Sequence, residues 1–229
     1  MIQHSQGPIA LVALLLGSAC SGPAIELPLG EHIIFLGNSI TELGDQPGGF
    51  VAQVRDTLSA RRPDGGIEVV GAGISGNKVP DLQERLNRDV LSRRPNLVFV
   101  LIGINDVWQS TMVQGGTPID RYEEGLRGIV RRINNMGAAV VLCTPAVIGE
   151  RLDGGNPLDA MLDEYAAVTR RVARDGRIAL VDLRKIFLKH LRAHNPDNRE
   201  SGILTTDGVH LNDRGNRLLA ETVLRNLGE

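Results

Sequence analysis

The sequence predicts an α/β domain in which helices cover both faces of a parallel sheet. Three observations carry that expectation. Five short apolar runs, rich in β-branched residues, alternate with stretches whose apolar residues recur at three- and four-residue spacing. Such alternation implies right-handed crossover units and therefore parallel strands. The third run, Leu97-Val98-Phe99-Val100-Leu101-Ile102, is apolar throughout, as a central strand buried on both faces must be. Finally, the connections Val107–Thr117, Thr144–Pro157 and His194–Asn212 are long. Long connections in a compact domain are usually functional, and the first two follow strands directly, at the edge where open α/β sheets keep their ligands.

In order, His32-Ile33-Ile34-Phe35-Leu36 reads as the first buried strand, ending in Gly37-Asn38-Ser39-Ile40-Thr41. Gly37, lacking a Cβ, lets the chain turn sharply there. Phe50, Val51, Val54 and Leu58 mark one face of a helix, and Ile67-Glu68-Val69-Val70 is the second strand. Asp81 suits the cap of a helix carrying Leu82, Leu86 and Val90. After the central strand, Thr117-Pro118 reads as cap and first helical residue, before Ile119, Tyr122, Leu126, Ile129 and Ile133. Ala138 to Cys143 is the fourth strand, followed by a helix with Leu158, Leu162, Tyr165, Val168 and Val172. Ile178-Ala179-Leu180-Val181 is the fifth, and a short helix then runs from Leu183 to about Ala193. The last helix shows Leu218, Leu219, Val223 and Leu227.

The chain has 229 residues, 42% hydrophobic and 23% charged, with a formal net charge of −2. That suits one globular domain and not the clustered basic footprint of a nucleic-acid binder. Two cysteines, Cys20 and Cys143, are too few for a disulfide framework. Ile9 to Leu16 has the length of a signal-peptide apolar region, and Gly17-Ser18-Ala19 supplies small residues before Cys20. Residues 1–19 are therefore expected to be a leader, 20–30 a tether and 31–229 the domain. The stretch resembles a bacterial lipoprotein signal, which would lipidate Cys20, leave Cys143 unpaired and confine membrane contact to that anchor. Gly17 where leucine is usual, and the absence of Lys or Arg from Met1 to Gln6, leave ordinary secretion with cleavage at the same bond open. Both readings put the mature chain outside a bacterial cytoplasm.

Ser39 falls just past a strand's carboxyl end, as a turn residue or as a nucleophile in need of a base. Of five histidines, His210 stands out, in the loop before the last helix and three residues after Asp207. A carboxylate that close can accept the imidazole N–H and fix its tautomer, although Asp207-Gly208 is also a common turn. Gly71 to Asn77, with Gly76, and Gly103-Ile104-Asn105-Asp106 follow the second and third strands, on the edge that carries Ser39. A glycine N–H and the Asn105 amide there can face developing negative charge.

Gly37-Asn38-Ser39-Ile40-Thr41, Gly76, Gly103-Ile104-Asn105-Asp106 and Asp207-Gly208-Val209-His210 together resemble the blocks of the SGNH, or GDSL-type, hydrolase family, in the same order. The resemblance runs from about His32 to Leu227. It implies a flavodoxin-like three-layer α/β/α sandwich with a five-stranded parallel sheet. It implies a catalytic triad of Ser39, Asp207 and His210, and an oxyanion hole from the N–H groups of Ser39 and Gly76 and the Asn105 side chain. It also implies ester hydrolysis without metal or cofactor. Asn38 departs from the family's usual aspartate, which bears on the hydrogen bonds around the nucleophile turn.

Rival motifs are incomplete. Gly71-x-Gly73-x-x-Gly76 follows the second strand rather than the first, and lacks the acidic residue a dinucleotide fingerprint needs about twenty residues on. His190 and His194 share a helix face, but Leu191 stands where zincins carry Glu. Trp108 is positioned to stack on a sugar or to wall an acyl pocket, or else packs in the core. With no long apolar insertion to form a lid, the expected substrate is a small ester or acylated carbohydrate with a short acyl group such as acetyl. A lysophospholipase or thioesterase, or a non-catalytic surface binding protein on the same fold, is the alternative.

Overall fold

The computed structural model describes residues 31–113 and 115–229, so the expected leader at 1–19 and tether at 20–30, with Cys20, lie outside the described residues. Five strands, β1 (His32–Gly37), β2 (Glu68–Gly73), β3 (Leu97–Leu101), β4 (Ala139–Cys143) and β5 (Ala179–Val181), form one sheet in the order β2-β1-β3-β4-β5. Every neighbouring pair is parallel. The chain passes from β1 to β2 on one side and then to β3 on the other, so a crevice opens between the carboxyl ends of β1 and β3.

Side chains alternate across β1 and β3. Ile33, Phe35 and Phe99 enter one apolar layer, with α2 (Phe50–Arg61), α7 (Leu183–His194) and α8 (Asp213–Asn226). Ile34, Leu36, Val98 and Val100 enter the other, under α3 (Val79–Asp89), α5 (Ile119–Asn135) and α6 (Asp159–Gly176). These are the three layers the sequence predicts. Phe35 stacks on Phe99 with ring centroids 4.8 Å apart and meets Phe50 edge-on at 5.5 Å. Fully burying one such side chain is worth about 2–3 kcal/mol.

Two helices of five or six residues escape the periodicity argument, because they are shorter than two turns: α1 (Ser39–Gly44) and α4 (Ile104–Trp108). Two helix caps also differ from expectation. Asp81 is not the cap of α3 but lies inside its first turn, its carboxylate reaching back to the Lys78 N–H at 2.7 Å. Pro118, not Thr117, caps α5, since its carbonyl already accepts the Tyr122 N–H at 2.8 Å. Asn212 caps α8, its Oδ1 accepting from Arg214 and Gly215 at 3.0 Å.

Gly37 is required for space. A Cβ there would lie 2.1 Å from Thr41 Oγ1 and 2.8 Å from the Leu101 carbonyl oxygen. Gly37→Ala should cost about 1–3 kcal/mol, the usual range for overpacking, and lower the melting midpoint by roughly 3–10 °C. A melting curve superimposed on that of the wild type would contradict this packing account.

Candidate active site

Asn38 ends the turn after β1, with its Oδ1 accepting the Ile40 N–H at 3.1 Å. It is a buried cap for α1, a role the neutral amide fills as an aspartate would. Ser39 is thereby the first residue of α1, not part of an open loop, and its side chain meets His210 from the other end of the chain. Ser39 Oγ lies 3.0 Å from His210 Nε2, and His210 Nδ1 lies 2.7 Å from Asp207 Oδ2. A carboxylate only accepts, so Nδ1 carries the proton and Nε2 is left to accept from the serine hydroxyl. Asp207 Oδ1 meanwhile accepts the N–H groups of Val209 at 3.0 Å and His210 at 2.8 Å. The turn reading and the orienting reading of Asp207 are therefore both satisfied, one oxygen each. Burial works against its charge, but the His210 ring and the two backbone N–H groups outweigh it and hold the carboxyl below the usual range.

Gly76 stands opposite, on the connection after β2. Its φ of +79° is left-handed, while among the described residues a Cβ would touch nothing nearer than 4.0 Å; backbone conformation, not space, calls for glycine here. Neither its N–H nor that of Ser39 has a hydrogen-bond partner among the described residues. Asn105, buried at the start of α4, donates from Nδ2 to the Asn77 carbonyl at 3.0 Å, which keeps its amide beside the Gly76 turn and leaves one N–H to offer. Trp108 ends α4. Its ring is edge-on to His210 with centroids 6.5 Å apart, and the residue also packs against the α3–α5–α6 core. An apolar cavity of about 20 Å³ lies among Asn38, Ile40, Ile104 and Leu211, neighbours of the candidate residues, with Pro145 and Ala146 beyond. That is room for about one water-sized or methyl-sized group.

Several residues that brace this rim escape sequence reasoning. Gln109 Nε2 donates to the Gly76 carbonyl at 2.8 Å. The Ser75 N–H reaches Glu42 Oε2 at 2.7 Å, tying the Gly76 turn to α1. Arg85 is 6% exposed and joins the ends of β1 and β2, donating to the carbonyls of Gly37 at 2.6 Å and Ala72 at 3.0 Å and to Asn77 Oδ1 at 2.7 Å. A charge between Leu82 and Leu86 on the buried stripe of α3 is the signal that could have found it.

Asp106, fully buried, accepts the Val79 N–H at 3.0 Å and so links α4 to the start of α3. Burial pushes its carboxyl up to about 6, against that N–H. Below about pH 4 the folded and unfolded chains both hold the proton. Between there and about 6 only the folded chain does, so this group's contribution to stability falls as pH rises. Asp106→Asn should remove the dependence. In urea unfolding, its stability relative to wild type should rise by about 2 kcal/mol from about pH 4 to about pH 7. A difference that stays level with pH would contradict the buried charge.

The histidines His190 and His194 stack with ring centroids 4.1 Å apart, away from this arrangement. Among the described residues, no group of three or more His, Cys, Asp or Glu is disposed to hold a metal.

A hydroxyl, an imidazole and a carboxylate in hydrogen-bonded series, beside spare N–H donors at a sheet switch point, define a serine hydrolase site. Residues 35–218 match the GDSL-like lipase/acylhydrolase family, and the chain belongs to it. It is similar to an acetylxylan esterase of Geobacillus stearothermophilus, 34% identical over 215 residues, which are 87% of this chain and 94% of the relative. The crystal structure of the acetyl xylan esterase AlAXEase superposes with a TM-score of 0.83 at 39% identity, covering 85% of this chain and 98% of that one. Catalytic mutants of the acetylxylan esterase Axe2 from Geobacillus stearothermophilus, with a serine, an aspartate or a histidine changed to alanine, superpose at 0.79 with 31% identity. They cover 89–90% of this chain and 97% of their own. Their aspartate and histidine are three residues apart, the spacing of Asp207 and His210. The chain is accordingly an ester-hydrolysing enzyme of the SGNH type.

Proposed function

We propose that the protein is an exported serine esterase that removes short acyl groups, acetyl above all, from acylated carbohydrate. The observation that carries the reading is the series Ser39–His210–Asp207, at 3.0 and 2.7 Å. His210 takes the Ser39 proton as Oγ attacks the ester carbonyl, and Asp207 holds the resulting imidazolium. The N–H groups of Ser39 and Gly76 and the Asn105 amide receive the tetrahedral oxyanion. His210 then gives that proton to the departing sugar oxygen as the C–O bond breaks, and water releases the acid from the acyl-enzyme by the same proton route.

The acetyl esters named for the relatives support a short acyl group. The acetylxylan esterase relatives support a carbohydrate on the alcohol side. Trp108, edge-on to His210, offers a wall or a sugar platform there. The test is a chain-length series of p-nitrophenyl esters together with acetylated xylo-oligosaccharides. Activity should fall steeply beyond the shortest acyl groups. A preference for long acyl chains would turn the reading towards a lysophospholipase or thioesterase, and hydrolysis of none of these esters would overturn the short-acyl reading. Within the mechanism, Asn105→Ala should lower kcat by about 10²–10³-fold, the usual loss for one oxyanion donor. Undiminished turnover would remove Asn105 from it.

Export rests on the apolar run Ile9 to Leu16 and the small residues before Cys20. Mass spectrometry of the mature protein tests it. An acylated Cys20 at the new N-terminus means a lipid anchor, an unmodified Cys20 means secretion, and a retained leader overturns export.

A further inference from the structure

Glu150 lies in the connection after β4, far from Ser39 in sequence, and is 0% exposed. Its carboxylate is fully engaged by one short segment. Oε2 accepts the Ile203 N–H at 2.7 Å, while Oε1 accepts the N–H groups of Leu204 at 2.7 Å and Thr205 at 2.6 Å and the Thr205 hydroxyl at 2.7 Å. The backbone of Glu150 is held as well. Its N–H donates to the Glu200 carbonyl and its own carbonyl accepts from Asn195 Nδ2, both at 2.9 Å.

That segment is the base of the turn carrying Asp207 and His210. Thr205 pairs with Leu211 as an antiparallel bridge, and the Thr206 N–H donates to the His210 carbonyl at 2.8 Å. Thr205 Oγ1 accepts the Gly208 N–H at 3.1 Å, and the Gly208 carbonyl accepts the Gly149 N–H at 2.8 Å. His210 has no regular element under it. Its place is set by this small cage, and the cage closes on one buried carboxylate. Hydrogen bonds to a charged acceptor are about twice as strong as neutral ones. A glutamine would also turn an N–H₂ towards backbone donors.

We propose that Glu150 is a positioning residue that holds His210 within reach of Ser39 by gathering the backbone at 203–205. This rests on the reading of His210 as proton acceptor, so His210→Ala is measured alongside. Two readouts are taken: steady-state kinetics on p-nitrophenyl acetate, and the downfield proton resonance of the His210 Nδ1–H held by Asp207. Glu150→Gln should lower kcat about tenfold or more, leave KM within about twofold, and shift or broaden that resonance. Thr205→Val, which removes one donor to Glu150 and the acceptor for Gly208, should lower kcat by about three- to tenfold, with Thr205→Ser restoring it. The threonine pair decides the matter if Glu150→Gln does not fold. An active His210→Ala enzyme would sink the proton-acceptor reading itself. With His210→Ala inactive, a folded Glu150→Gln enzyme of wild-type kcat overturns the inference alone, as does a Thr205→Val enzyme of wild-type kcat. A loss of kcat with KM rising in step and the ring resonance unmoved also overturns it, because that pattern marks general loosening.

Discussion

Ser39→Ala should reduce kcat on p-nitrophenyl acetate by about 10⁵–10⁶-fold, the scale on which a serine hydrolase loses turnover without its nucleophile. The fold should be untouched, because among the described residues the Ser39 hydroxyl makes a single hydrogen bond, to His210 Nε2. A methyl group fills nearly the same buried space beside Asn38, and the α1 cap from Asn38 Oδ1 to the Ile40 N–H does not involve the lost oxygen. The melting midpoint is therefore expected within about 2 °C of wild type. What remains should be the weak catalysis that oxyanion donors and binding supply alone. A fluorophosphonate should add its mass to the wild-type chain and not to the variant. A variant keeping more than about 1% of wild-type turnover would remove Ser39 from the chemistry.

Asp207→Asn should cost about 10³–10⁴-fold in kcat while leaving KM nearly unchanged. The two oxygens of Asp207 have separable tasks, and asparagine keeps only one of them. Its carbonyl can still accept from Val209 and His210, so the turn persists. Its amide then faces His210 Nδ1 with a donor, where the carboxylate had been an acceptor at 2.7 Å. The ring must shift its proton to Nε2, which can no longer accept from Ser39, and nothing balances the imidazolium that forms later. The loss is expected at the lower end of what a fully buried aspartate gives, because the Asp207 side chain is about half exposed and water shares its work. Turnover within about tenfold of wild type would show that His210 needs no orienting carboxylate.

How much of this was legible in sequence varies with the range of the interaction. The strand β3 declares itself within a run of six apolar residues, Leu97–Ile102, and α5 as a stripe from Tyr122 to Ile133, because burial repeats at the period of the backbone. Asp207 and His210 announce a shared turn through three-residue spacing. The helices α1 and α4 pass unseen, since fewer than two turns carry no period, and so the cap at Asn38 could not be read. Gly37 was legible only as a residue that lets the chain turn, whereas what calls for glycine there is the close approach of Thr41 and Leu101.

By itself, then, the order of amino acids determined the layered architecture, the edge on which the candidate residues gather and the family they signal, because periodicity and short spacings are expressed within one element or one turn. The folded chain alone decided that Ser39 and His210 meet at 3.0 Å across 171 positions, that Arg85 ties β1 to β2, and that Glu150 serves the backbone at 203–205. The reason is physical. A buried charge must find hydrogen bonds wherever the packing puts it, and that place depends on the whole fold rather than on its neighbours in sequence.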